Sequence, residues 1–457
     1  MIDWIAGYMS GIESYPVLPS IEYGQTGTAF ASEPSREGKS FPQLLTEFES
    51  KILPGITHWN HPGFMAYFAI TGSQAGILGE LLSAALNVNG MLWKTSPSVT
   101  ELERLVLDWL REALGLPAGL FGIINDTASV NSFLALAAAR ERTGLNIRRE
   151  GMTGRSLPAL RVYCSDQAHS SIEKAALALG IGAANVVKIP SDERFQMKVE
   201  DLVEAIRADR ERGFLPMAIS ATIGTTSTAA IDPIPEIGEI ARREGIWLHV
   251  DAAYAGSAAI VPELQTMWRG IEHADSIVTN PHKWLFTPVD CSVLYTRHPE
   301  VLRQTFSLVP EYLTTTDPSE TLNYMDYGIQ LGRRFRALKL WMVLEHYGLE
   351  RLRAVIRQQV GYATRLAEAL KNRGDVELLA PPSLSVIVFR TITRNSSGSI
   401  DEAESERIST DLLAAMNRSG QIFVSHTRLR GRYGIRVAIG NGATQWRHVE
   451  KILEFLA

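Results

Sequence analysis

Trp247-Leu248-His249-Val250-Asp251-Ala252-Ala253-Tyr254 and, further on, Ser276-Ile277-Val278-Thr279-Asn280-Pro281-His282-Lys283-Trp284 decide how this chain folds. Each is a short apolar run closed by polar and small residues, the pattern of a strand buried on both faces. Residues 161–164, 217–222 and 292–295 read the same way, and helical periodicity covers 171–179, 200–212 and 234–244. Strand–helix–strand alternation predicts an α/β fold with a largely parallel sheet covered on both sides. Ligands of such sheets gather beyond the carboxyl ends of the strands, so the residues just past these runs are the first functional candidates.

The flanking regions differ in character. Residues 2–12 place Ile2, Ile5, Met9 and Ile12 on one helical face with Trp4 and Tyr8 beside it, and a Pro-, Gly- and Ser-rich stretch, 15–41, follows. That stretch has too little apolar surface to fold alone and is expected to pack against another body. Residues 74–114 are helical in pattern, broken at Asn89-Gly90 and Ser96-Pro97, with Thr100 as the expected cap and Glu103 at the capping-box position. A long helical pattern over 334–370 leads to a strand at 384–389, a polar loop at 394–404 and a helix at 405–419. Strands at 422–425 and 434–438 and a closing helix at 446–456 complete a small α+β domain. The expected organisation is a dimer-wrapping arm, 1–73, a large domain, 74–345, and a small C-terminal domain, 346–457.

Composition narrows the function. With 457 residues, 45% hydrophobic and 21% charged, the chain can bury a large core, which excludes a disordered or fibrous protein. A net charge of −5 argues against nucleic acid as the main partner, because phosphate binding needs a concentrated basic stripe. Two cysteines, Cys164 and Cys291, cannot build a disulfide framework, so a cytoplasmic setting is expected. The most apolar stretch, 175–187, falls short of the ~20 residues a membrane span requires, and Asp3 with no cationic region argues against a secretory leader.

Four strand ends carry the chemistry: Asp251, Lys283, His169 after the run 161–164, and Asn125-Asp126-Thr127-Ala128-Ser129-Val130-Asn131, which runs into a helix expected at 132–140. Free backbone N–H groups at a helix start make an anion site. Asp251 alone reads as a turn residue, Lys283 as a solvated cation, His169 as a hydrogen-bonded ring and the Ser/Thr loop as an ordinary cap. Together they form the set that pyridoxal phosphate needs: an amine for its aldehyde, a carboxylate to keep the pyridine nitrogen protonated, and donors for its phosphate. The amine must be neutral to attack, which burial favours.

These motifs resemble the group II pyridoxal-phosphate-dependent decarboxylases, specifically the aromatic L-amino acid decarboxylases. The resemblance rests on 249–257, on Asn280-Pro281-His282-Lys283-Trp284, on 166–171, 221–226 and 331–336, and on Thr57-His58-Trp59. It implies a fold type I, aspartate aminotransferase-like large domain with a mostly parallel seven-stranded sheet, and a homodimer that shares its active sites. It implies that Lys283 holds the cofactor covalently, Asp251 meets the pyridine nitrogen and His169 stacks on the ring. Ala128, Ser129 and Asn280 would hold the phosphate, and Thr226, Ala253 and His282 would line the site.

A loop over 310–325 would close on the substrate and bring Tyr312 to its α-carbon. Relatives with other residues at the Tyr312 and His169 positions release an aldehyde by reaction with oxygen; both residues are present here, which favours simple decarboxylation to an aryl-ethylamine. Trp59, Tyr67 and Phe68, with Asn89, Met91 and Gly332, match the aromatic substrate pocket, Met91 coming from the partner subunit. Ala69-Ile70 departs from the Pro-Thr common in the family, and Asn89 and Met91 replace apolar or aromatic residues, so a relaxed choice among tryptophan, tyrosine, DOPA and phenylalanine is expected. Gly332 tilts that choice toward an indole. The alternatives are a decarboxylation-dependent aldehyde synthase, an acidic-substrate decarboxylase and an inactive cofactor-binding homologue. No metal is expected: His58 and His61 have ligand-like spacing but no third partner nearby, and both cysteines read as packing thiols. Arg333-Arg334 reads as a turn or dimer contact and not as a substrate carboxylate clamp.

Overall fold

The computed structural model describes residues 1–308 and 321–457. The chain divides into two compact units that do not follow it in series: residues 70–361 with 380–386, and residues 1–69 with 362–379 and 387–457. Among the described residues no helix is long and apolar enough to cross a membrane.

The larger unit is built on seven strands among the described residues: β1 (Phe121–Asn125), β2 (Leu160–Ser165), β3 (Val186–Ile189), β4 (Leu215–Thr222), β5 (Trp247–Asp251), β6 (Ser276–Thr279) and β7 (Ser292–Thr296). They lie in the order β1-β7-β6-β5-β4-β2-β3. Only β7 runs against its neighbours, antiparallel to both β1 and β6, so β1 through β6 all point their carboxyl ends to one edge. The expected strands all form. β1 and β3 are additions: β3 is a four-residue edge strand, and Gly122 interrupts the apolar run of β1. A Cβ on Gly122 would stand 2.9 Å from the Tyr295 ring and 3.1 Å from Leu107, so close packing selects a residue with no strand preference. The helix Ala128–Arg142 lies on this sheet, and its run of alanines lets the two approach closely.

Two expectations about caps are corrected. The second helix starts at Pro97, whose fixed φ and missing N–H suit a first helical position. Thr100 is therefore internal and buried, its hydroxyl donating to the Ser96 carbonyl at 3.3 Å. Glu103 turns inward, accepting from the Ile124 N–H at 2.9 Å and from Arg333 at 2.6 Å. The long helix spans Arg336–Lys371 and is broken at Gly348, which takes φ 66. The helix after β1 starts earlier than expected, because Thr127 caps it by accepting from the Val130 N–H at 3.4 Å.

The smaller unit carries four strands, β8 (Val376–Leu378), β9 (Val386–Thr391), β10 (Ser425–Leu429) and β11 (Arg432–Ala438), in the order β10-β11-β9-β8. The strand expected at 422–425 shifts to Ser425–Leu429, because Phe423 pairs instead with the N-terminal segment. There Phe423 N–H donates to Gly63 at 2.9 Å, Met65 N–H to Phe423 at 2.8 Å and Ala438 N–H to Met65 at 2.9 Å. The strand expected at 384–389 begins at Val386, after Leu384 at φ 52. The polar loop ends sooner than expected, where Asp401 caps the helix Glu402–Arg418. In the helix Ile2–Ser10 the half-buried face is Trp4, Ile5, Tyr8 and Met9, and Ile2 is 64% exposed.

Candidate functional site

Because β1, β2, β4, β5 and β6 share one direction, the residues just past them emerge from one edge of the sheet. These are Ala128 and Ser129 after β1, His169 after β2, Thr226 after β4, Asp251 and Ala253 at the end of β5, and Asn280, His282 and Lys283 after β6. Asp251 is buried, is the register partner of Thr222 on one side and Val278 on the other, and its Oδ1 accepts from the Ala253 N–H at 3.0 Å. Asn280 N–H donates to the Ala253 carbonyl at 3.1 Å, tying the ends of β5 and β6 together.

Lys283 sits on a single turn, Pro281–Trp284, whose other side chains are anchors. His282 is buried; its Nδ1 accepts from the Cys291 N–H at 2.9 Å while its backbone N–H donates to the Cys291 carbonyl at 3.2 Å. Trp284 is fully buried, donates to Gln359 and stacks on Tyr254 at 4.5 Å. Between these anchored neighbours Lys283 is half-buried.

Asn280 is aimed by a chain of side chains that sequence reasoning missed. Asn125 donates to Asn131 at 2.7 Å, Asn131 donates to Ser292 at 2.7 Å, and Ser292 donates to Asn280 Oδ1 at 2.6 Å. This fixes the Asn280 side-chain carbonyl on Ser292. Ala128 and Ser129 occupy the first turn of their helix, where backbone N–H groups have no carbonyl four residues back. An anion cradle, a carboxylate and an amine thus share one edge, and the residues present fit pyridoxal phosphate.

Electrostatics brings three of the expected residues together. The His169 pKa is pushed down, by burial of much of the ring first, then against the raising pull of Asp251 and with the lowering push of Lys283. His169 Nδ1 accepts from the Ser171 N–H at 3.1 Å, which places the proton of the neutral ring on Nε2. His282 is held down to about 3, by burial and by Lys283. His249, two residues before Asp251, is held down to about 4 by burial.

For both deeply buried rings the folded pKa lies below the unfolded one. The unfolded chain therefore binds protons the native chain refuses, and stability present above about pH 6.5 falls as pH drops toward 4 and then 3. We predict a slope approaching ~1.4 kcal/mol per pH unit for each ring in that window. Urea midpoints at a series of pH values measure it, and a midpoint flat between pH 6.5 and 4 contradicts it.

The remaining expected residues fall into two groups, one in each unit. Trp59 stacks on Tyr67 at 5.9 Å, and the Arg436 guanidinium lies 4.7 Å from the Phe68 ring. Asn89 Oδ1 accepts from the Arg333 N–H at 2.9 Å, its Nδ2 contacts Met91 Sδ at 3.5 Å, and a Cβ on Gly332 would stand 3.8 Å from that Nδ2. Tyr312 and most of the expected loop lie outside the described residues. Its far end does not read as a loop, since Tyr324 and Met325 are buried. Tyr8 Oη lies 2.8 Å from His58 Nδ1, and His61 Nδ1 accepts from the Gly63 N–H at 2.9 Å. Cys164 and Cys291 are buried and free, and burial raises both thiols, that of Cys291 to about 12.

The chain is similar to known proteins over nearly all its length. The pyridoxal-dependent decarboxylase conserved domain matches residues 25–392. Tyrosine decarboxylase 4 of Petroselinum crispum is 40% identical over 98% of the chain and 89% of its own length. Phenylacetaldehyde synthase of Petunia hybrida is 38% identical over 98% of the chain and 90% of its own length. The crystal structure of Oryza sativa TDC with PLP and tryptamine superimposes with a TM-score of 0.94 at 35% identity, covering 100% of this chain and 95% of that one.

Proposed function

The chain belongs to the pyridoxal-dependent decarboxylase family, and we propose that it removes CO2 from an aromatic L-amino acid to give the aryl-ethylamine. The observation that carries this reading is the placement of Lys283, Asp251 and the amides of Ala128 and Ser129 along one sheet edge, in a chain similar throughout to enzymes of that activity. Pyridoxal phosphate, when bound, supplies the electron sink that takes up the charge left as CO2 departs.

Each residue then has a task. Lys283 Nζ holds the cofactor between turnovers, and the Asp251 carboxylate holds a proton at the pyridine nitrogen by opposite charge. Ala128, Ser129 and Asn280 grip the phosphate with N–H groups. Thr226, Ala253 and His282 would shape the walls, and His169 would stack on the ring. Tyr312, with His169, delivers the proton to the α-carbon. We assign recognition of the aromatic ring to Trp59, Tyr67, Phe68, Asn89, Met91 and Gly332, since apolar aromatic surroundings accept an indole or a phenol.

A homodimer is supported by the helix Gln74–Leu86, where Leu78, Leu81, Leu82 and Leu86 repeat at helical spacing and are each about half exposed in the single chain. The segment 1–73 is assigned to wrapping that dimer, and buried, unpaired cysteines suit a cytoplasmic setting.

The aldehyde synthase reading is the rival, favoured by the similarity to the Petunia enzyme. Tyr312 and His169 together favour the amine. Purified protein given the cofactor and a panel of L-amino acids should release CO2 and amine in equal amounts, identified by mass. Hydrogen peroxide formed in step with CO2 would select the aldehyde reaction. Tyr312→Phe should keep the cofactor and shift product from amine toward aldehyde, and an unchanged amine yield counts against the proton-delivery role.

A further inference from the structure

Beneath Asp251 runs a line of polar contacts with no part in the chemistry assigned above. His249 is fully buried on β5, with Ser276 Oγ 3.0 Å from Nδ1 and Ser132 Oγ 3.4 Å from Nε2. The direction of these bonds follows from the Trp247 indole, which can only donate and does so to Ser276 Oγ at 2.8 Å. Ser276 can then give its own proton to His249 Nδ1. The proton of the neutral ring is left on Nε2, aimed at Ser132.

The line Trp247, Ser276, His249, Ser132 joins three elements. Side chains alternate along a strand, so His249 and Asp251 share one face of β5. Ser276 opens β6, the strand that leads to Asn280 and Lys283. Ser132 stands four residues after Ala128 on the same helix, hence on the same side as that first-turn amide. On β4, Ser220 and Thr222 are the register partners of His249 and Asp251, and both hydroxyls are buried with no hydrogen-bond partner among the described residues. The face below Asp251 is therefore polar and shielded from solvent.

We infer that His249 is a positioning residue, setting the spacing between the phosphate cradle at Ala128 and Ser129 and the carboxylate of Asp251. This rests on the roles proposed above for those groups. Two ends of one rigid ligand are gripped by different elements, and a displacement of ~1 Å between them can cost ~100-fold in rate.

The test uses the full-length protein with His249→Phe, His249→Gln, Ser132→Ala and Ser276→Ala. His249→Phe keeps a ring and loses both bonds; Ser132→Ala removes one bond with little change of volume and decides the matter where the bulkier change fails to fold. Equilibrium dialysis should show pyridoxal phosphate bound about tenfold or more weakly by His249→Phe and severalfold more weakly by the serine variants. The pH midpoint of the bound cofactor's visible band should move, and kcat should fall more than KM rises. His249→Gln, with one acceptor and one donor to replace the ring nitrogens, should recover part of the loss.

A merely structural histidine would lower the thermal midpoint of cofactor-free protein and leave cofactor affinity and the absorbance titration at wild-type values. That result overturns the inference. Wild-type protein that makes no amine from any aromatic amino acid would instead remove the function on which it rests.

Discussion

Lys283→Ala protein is expected to lose the visible absorbance of covalently held cofactor and to lose turnover by on the order of a thousandfold or more. The loss should be chemical and not structural. The turn Pro281–Trp284 is held by His282 against Cys291 and by Trp284 against Gln359 and Tyr254, none of which involves the lysine side chain. Absorbance before and after dialysis, with product mass from a single aromatic substrate, measures the outcome. Full activity in this variant would remove Lys283 from its role.

The second large effect concerns stability. Arg333 and Glu103 form an ion pair at 2.6 Å with both side chains almost fully buried, and Arg333 also donates to the Ile124 carbonyl at 2.9 Å while its guanidinium lies 4.7 Å from the Tyr324 ring. Arg333→Met leaves the Glu103 carboxylate and a backbone carbonyl without their cation. We expect a loss of ~3–5 kcal/mol, the cost of an uncompensated buried charge. Adding Glu103→Leu should restore much of it, because replacing both partners removes the stranded charge. Urea unfolding of the single and double variants tests this, and equal destabilisation by both would show that packing, not charge, decides. The result bears on function, since Arg333 also holds Asn89 and Gly90 through its backbone.

The strands that lead to Asp251, Lys283 and His169 were legible because each is a contiguous apolar run with its candidate residue at its end or a few residues beyond it. Whether such a residue faces the ligand edge depends only on strand direction, which the alternation with helices also predicts. β1 was not legible: its glycine answers to Tyr295 and Leu107, residues remote in the chain. Glu103 misled for the same reason. Its position three after Thr100 mimics a capping box, but a buried arginine 230 residues away binds it more strongly than a helix end would.

What the sequence determined by itself is the α/β fold class and the cofactor, because these depend on short strings of neighbouring residues. The tertiary structure decided which side chains aim them: the relay from Asn125 to Asn280, the line from Trp247 through His249 to Ser132, and the union of residues 1–69 with the C-terminal strands. Hydrogen bonds and buried ion pairs join groups only within a few ångströms, and strand register, not sequence separation, brings those groups within reach.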